Sequence, residues 1–289
     1  MKRIFWILAL VVLFFAGDRI SGWVLKQLTM SSQFRYSRMY KGEAKSDILL
    51  VGNSRGLIFY QPYIEEITGK STFNISYNGM PMDLGRVLVE DYLDKYPAPE
   101  QMIVDVTMCD RKNSQLVTGF NLYAPYSEKL FELIKKDDQS SAYAGKLSHL
   151  YLHNSEIFQR ALYHLKKSDE AWLLDREITD FLVKDVVNME PYTIDLQDEL
   201  LSELNETIQY AQSKGVKVQL VINPYFPAFA KRITNLKNFR TRIENATGLK
   251  VHNYATAIKE VKGFGDYQHL NKKGSRLYLD RLKKDGLLY

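Results

Sequence analysis

Cysteine is almost absent from this chain: Cys109 is the only one among 289 residues, so no internal disulfide framework exists and either redox compartment is allowed. The five histidines and that cysteine show no metal-ligand spacing, so no metal is expected. A strong charge of one sign is lacking too. The net charge is +5, and most basic residues alternate with acids along helical stretches, so a nucleic-acid partner is not expected. No Ala-x-Ala cleavage site follows the N-terminal apolar run. What the chain does have is length enough for one large α/β domain or two small ones, and an excess of tyrosine, 19 in all.

Lys2 and Arg3 precede an unbroken apolar run from Ile4 to Ala16, which Gly17-Asp18-Arg19 interrupts. Thirteen residues at about 1.5 Å each fall short of a hydrocarbon core of ~30 Å. Residues 20–25 can lengthen the helix, with Trp23 at the interface. A cleaved signal peptide and an uncleaved single-pass anchor both fit residues 1–25, and the missing cleavage site favours the anchor. Lys2 and Arg3 then stay in the cytoplasm and the rest crosses the membrane. Residues 26–46, where Arg35, Arg38 and Lys41 are spaced among tyrosines, read as a juxtamembrane stem or a strap along the domain, with a solvated connector favoured over a binding role.

From Asp47 a strand–helix rhythm begins. Ile48–Val51 is a short branched apolar run of the kind that forms a fully buried strand. Strands are expected at 71–76, 102–107, 216–222 and 250–253, and helices at 62–68, 82–96, 196–213, 228–246 and 272–284. Five strands alternating with helices imply a mainly parallel sheet in a three-layer α/β/α arrangement over residues 47–289. Residues 111–193 break the rhythm. Helices at 127–136, 142–166 and 169–187 are expected there, as a tyrosine-rich helical insertion or a cap over a site.

Two stretches carry the chemistry. Gly52 ends the first strand, and Ser54 then sits on a strand-to-helix turn, where its hydroxyl is lifted and its N–H is one of the free donors of a helix start. A helix-capping turn explains the same residues. Near the C-terminus Asp266 and His269 are three apart, a spacing that lets a carboxylate hold an imidazole's tautomer. All these positions follow strands, where sites in parallel sheets gather, and so do Asn223 and Tyr225 after the fourth strand. No cofactor is needed for such chemistry.

Gly52-Asn53-Ser54 and Asp266-Tyr-Gln-His269-Leu270 resemble the first and last blocks of the SGNH, or GDSL-like, hydrolases. With Arg55 the first block is similar to that of membrane-anchored bacterial envelope members, which often act on acyl groups of cell-surface polymers. The likeness spans roughly residues 18–110 and 215–289. It implies a flavodoxin-like fold with Ser54 as nucleophile, His269 as base and Asp266 as its orienting carboxylate. Asn74-Ile-Ser-Tyr-Asn-Gly79 fits the second block, which implies that Gly79 joins Ser54 in an oxyanion hole. The third block is not met: Cys109 stands where the family's oxyanion-hole asparagine belongs, so either another side chain, Asn78 or Asn223, supplies the third hydrogen bond or the oxyanion hole has two donors only. Arg55 is a candidate contact for an anionic group on the substrate. The resemblance implies an extracytoplasmic O-acyl esterase or O-acyltransferase on acylated glycans or small esters, working beside envelope-biosynthesis partners. A non-catalytic binding or assembly component of the same kind of system is the alternative.

Overall fold

A computed structural model describes residues 2–169 and 172–289 and divides the chain into two compact units. One comprises Met1–Glu43 with Ser114–Asp169, the other Ala44–Asn113 with Glu170–Tyr289.

The second unit contains the five-stranded sheet: β1 (Ile48–Val51), β2 (Thr72–Asn74), β3 (Gln101–Asp105), β4 (Lys217–Ile222) and β5 (Val251–Asn253). The strand order is β2-β1-β3-β4-β5, and every neighbouring pair is parallel. Leu49 stands opposite both Phe73 and Met102. Every residue of β1, β2 and β3 is buried, as expected when helices cover a parallel sheet on both faces. Helix Met82–Lys95 packs on helix Asp198–Ser213, and helix Gln61–Thr68 on helix Lys272–Lys284. On Met82–Lys95 the apolar stripe Leu84, Val87, Leu88 and Tyr92 is fully buried. Each such aliphatic side chain contributes roughly 1.5–3 kcal/mol on leaving water. The chain leaves β1 for β2 on one side and returns to β3 on the other. That reversal opens a crevice beyond the carboxyl ends of β1 and β3.

The first unit is helical. Helix Lys2–Met30 runs 29 residues without a break, about 43 Å. The Gly17-Asp18-Arg19 interruption expected from the sequence is therefore not a stop. Asp18 is buried because its carboxylate accepts the N–H groups of His149 and Leu150 at 2.8 and 3.1 Å. Gly22 permits this close approach, since a Cβ there would lie 2.3 Å from the His149 Cβ.

Residues 26–46 are not a solvated stem. They hold the end of that first helix and a second helix, Arg35–Lys41, whose Arg35, Tyr36, Ser37, Met39 and Tyr40 are buried. Tyr36 packs edge-on against Phe120, Tyr40 stacks on Tyr123, and the Ser37 and Tyr123 hydroxyls meet at 2.7 Å. The tyrosines of the insertion thus form a core with those of the expected stem.

The expected helix 142–166 is three pieces, Gln139–Leu147, Tyr151–His153 and Glu156–Tyr163. The chain turns at 148–150 to present its N–H groups to Asp18, and Ser155 caps the last piece by accepting from the Phe158 N–H. The expected helix 169–187 shrinks to Asp180–Asp185, started by Thr179, with residues 170–171 outside the described residues. Residues 172–178 instead form a strap in the sheet unit. Leu174 bridges to Asn271, the Lys272 N–H donates to the Leu174 carbonyl, and the Ile178 N–H donates to that of Phe264 at 2.7 Å. The expected helix 228–246 also splits, into Pro227–Ala230 and Leu236–Thr247, because Ile233 pairs with Tyr192 and the Asn235 side chain brackets Ile194.

Candidate active site

β1 ends at Val51, and the chain turns at once into the short 3-10 helix Ser54–Ile58. Glycine is required at Gly52, because a Cβ there would stand 2.8 Å from the Cα of Gly56. Asn53 caps the turn by accepting the Arg55 N–H at 2.9 Å, leaving Ser54 half-buried at the crevice. On the far side, the loop before helix Lys272–Lys284 carries Asp266 and His269. The Asp266 carboxylate accepts the backbone N–H groups of Gln268 and His269, each at 2.9 Å, which fixes the loop as one tight turn.

These two pieces meet. Ser54 Oγ lies 2.9 Å from His269 Nε2, and His269 Nδ1 lies 2.8 and 3.0 Å from the two oxygens of Asp266. A carboxylate beside Nδ1 draws the ring proton there, so Nε2 accepts from the Ser54 hydroxyl. Partial burial works to raise the Asp266 carboxyl, but the imidazole and the two N–H groups outweigh it and hold it below the ordinary carboxylate range. Asp266 therefore stays charged and able to steady an imidazolium. Such a line of hydroxyl, imidazole and carboxylate can generate an alkoxide-like nucleophile.

Ser54, His269 and Asp266 open onto a cavity of about 210 Å³, with Asn78 on its polar side. Its apolar wall comprises Leu57, Ile58, Trp172, Leu173, Leu174 and Leu270. Asn78 and Gly79 form an exposed turn, with Gly79 at φ +66° and tied back by the Asn113 side chain, which donates to its carbonyl at 2.9 Å. The N–H groups of Ser54 and Gly79 have no hydrogen-bond partner among the described residues.

The other sequence candidates lie beneath this cavity, not along it. Arg55 is 3% exposed: it donates to the carbonyls of Asn223 and Gln268, and its guanidinium lies 3.4 Å from the centre of the Tyr225 ring. It is an internal tie, with no face left for an anionic substrate. Asn223 is saturated as well. Its amide donates to the Arg55 carbonyl and to Asp105, and its oxygen accepts the Tyr278 hydroxyl at 2.7 Å, so no N–H remains for an oxyanion. Tyr225 is buried, and burial drives its hydroxyl far above the ordinary range. Cys109 is wholly buried. Its thiol donates to the Leu200 carbonyl, and burial pushes it well up, so it is a packing residue.

Sequence reasoning missed the strap and the buried carboxylate Asp105. Asp105 receives the Thr107 N–H and hydroxyl, the Asn223 amide and the Arg55 charge, and burial still raises it above the ordinary carboxylate range. An acid closing the apolar strand Gln101–Asp105 was the available signal. The triplet Trp172-Leu173-Leu174 in a polar stretch was the signal for the strap. Among the described residues no cluster of His, Cys, Asp or Glu could hold a metal ion.

No protein-family model matches the chain, and no curated protein does either. Among solved structures it is similar to a provisionally assigned acylhydrolase from Bacteroides fragilis NCTC 9343, at 11% identity and TM-score 0.42, over 86% of this chain and 90% of that one. It is also similar to a GDSL-like lipase from Bacteroides thetaiotaomicron VPI-5482, at 12% identity and TM-score 0.42, over 89% of this chain and 97% of that one.

Proposed function

We propose that the chain is a serine O-acyl ester hydrolase or acyltransferase of the SGNH type. The observation that carries this reading is the Ser54–His269–Asp266 line, joined at 2.9 and 2.8 Å across 215 residues of sequence. The match of Gly52-Asn53-Ser54 and Asp266-x-x-His269 to the family's blocks supports it.

In this reading His269 Nε2 takes the Ser54 proton as Oγ attacks the ester carbonyl. The tetrahedral oxyanion accepts from the N–H groups of Ser54 and Gly79, with the Asn78 amide beside them. His269 returns the proton to the departing alkoxide, leaving an acyl-serine. Water or a sugar hydroxyl, deprotonated by His269, then takes the acyl group and restores Ser54. A cavity of about 210 Å³ with an apolar wall suits a short acyl group, given that about 150 Å³ holds a benzene ring.

The N-terminal helix, long and apolar enough to cross a membrane, supports a single-pass anchor in a bacterial cell membrane. Lys2 and Arg3 at its start support an extracytoplasmic site and, with it, an acylated envelope glycan as substrate and envelope-biosynthesis partners. A fluorophosphonate probe tests the chemistry. It is expected to label the wild-type chain and not Ser54→Ala. Absence of labelling in both, with the fold intact, returns the chain to the non-catalytic binding reading.

A further inference from the structure

A second cavity, about 340 Å³, lies in the helical unit and takes no part in the ester chemistry. Arg19, Gly22, Trp23, Lys26 and Thr29 of the first helix line it; their spacing of three and four places them on one helical face. Leu122, Pro125 and Leu152 supply apolar wall. Two polar atoms in this lining, the Tyr126 hydroxyl and His153 Nε2, are buried without a hydrogen-bond partner. A buried polar atom left unpaired costs roughly 1–3 kcal/mol, so two in one cavity point to a molecule that satisfies them.

We propose that this cavity seats one anionic glycerophospholipid. The proposal rests on the membrane reading of the helix and is independent of the ester chemistry. Charge selects the headgroup. Arg19 is answered by Asp18 at 2.9 Å, but Lys26 has no ion-pair partner among the described residues and lies 5.2 Å from the centre of the Tyr126 ring. A phosphate at that point receives the Lys26 ammonium. Burial holds the Tyr126 hydroxyl up at about 12, so it remains a proton donor for a phosphate or ester oxygen. His153 donates Nδ1–H to the His149 carbonyl at 2.9 Å. Burial lowers its pKa, so Nε2 remains a lone pair for a headgroup hydroxyl.

Position selects a membrane lipid over a soluble anion. The cavity begins where the exposed apolar run 4–15 ends, and Leu147 and Leu150 are exposed beside Asp18, at 66% and 42%. Trp23, 61% exposed, is a residue type suited to the headgroup level.

The test uses the full chain, stripped of lipid in detergent and titrated with phosphatidylglycerol or phosphatidylcholine under native mass spectrometry. One phosphatidylglycerol is expected to be retained, with phosphatidylcholine at least fivefold weaker. Tyr126→Phe and Lys26→Gln should each weaken retention about fivefold, and neither should lower the melting temperature of the lipid-free chain. The proposal is overturned if wild type retains no phosphatidylglycerol, if the two lipids bind alike, or if both variants bind like wild type. Fractionation of cells keeps this separate from the anchor: chain absent from the membrane fraction overturns the anchor itself.

Discussion

In the helical unit, Arg35 and Asp169 meet at 2.9 Å with side chains 2% and 1% exposed; in the sheet unit, Arg55 and Asp105 stand 3.6 Å apart at 4% and 0%. The first pair is joined by several direct bonds. Arg35 sends its backbone N–H and Nε to one oxygen of Asp169 and an Nη2 N–H to the Asp169 carbonyl. The second is opened into a network. Arg55 Nε has no hydrogen bond, while the rest of the guanidinium reaches the carbonyls of Asn223 and Gln268 and covers the Tyr225 ring. Gln268 is the residue before His269. Two pairs of the same chemistry thus differ in use: one fastens a core, the other ties the β1 turn to the loop that carries the imidazole.

Breaking the first pair is expected to have the largest effect on stability. Arg35→Met leaves the Asp169 carboxylate buried without its cation, which costs roughly 3–5 kcal/mol. Arg35→Met with Asp169→Leu removes both charges and should recover most of that loss. Urea unfolding followed by a probe in the helical unit reads both, and a single variant within 1 kcal/mol of wild type contradicts the fastening role.

The open pair separates charge from geometry. Arg55→Lys keeps a cation beside Asp105 but has no planar fork to reach two carbonyls and cover a ring. We expect kcat on a short-chain ester to fall about 10- to 100-fold with KM nearly constant, since a displaced His269 loosens the transition state and not the bound ester. A purely structural Arg55 would lower the melting temperature in the lysine variant and leave kcat per folded molecule unchanged.

The same contrast explains what could be read from the sequence. Ile48–Val51 and the stripe on Met82–Lys95 are local patterns, and each is found where it was expected; the Asp266-x-x-His269 turn is equally local. The stem and the long insertion helices escape such reading because their partners lie far along the chain. Arg35 meets Asp169 across 134 residues, Asp18 meets His149 across 131, and Asn271 meets Leu174 near the opposite end of the sheet unit. Periodicity alone cannot show that residues 172–178 give their backbone bonds to the loop of Phe264 and Asn271. Nor could it show that Cys109, which follows a strand like a site residue, turns inward.

Cys109 sharpens the contrast at smaller scale, since it lies four residues beyond Asp105 in the same buried layer. Cys109→Asn puts a larger amide where a thiol donates only to the Leu200 carbonyl. Leaving part of that amide unsatisfied should cost about 1–3 kcal/mol. Turnover per folded molecule should not rise, and a stable variant with higher kcat would restore Cys109 to the oxyanion hole.

The smallest effect concerns Asp266, and here the sign decides the design. Its folded carboxyl lies below the ordinary value, held there by the His269 ring and the N–H groups of Gln268 and His269 against partial burial. A lowered folded pKa means that the charged form is favoured in the native state, so the contribution is fully present above the unfolded value of about 3.9. It is lost as pH falls through the lower folded value, because the native state must then take up the proton it had been resisting. Asp266→Asn lacks this group and should show a shallower fall in melting temperature between about pH 5 and pH 2. Wild type and variant should therefore differ most near neutrality and converge in acid. Parallel melting curves across that range would mean that Asp266 is not held by His269 and its neighbours in solution. Asp266 differs from Asp105 and Asp169 in its partner: it is reached by solvent and meets an imidazole, whereas those two are buried against an arginine.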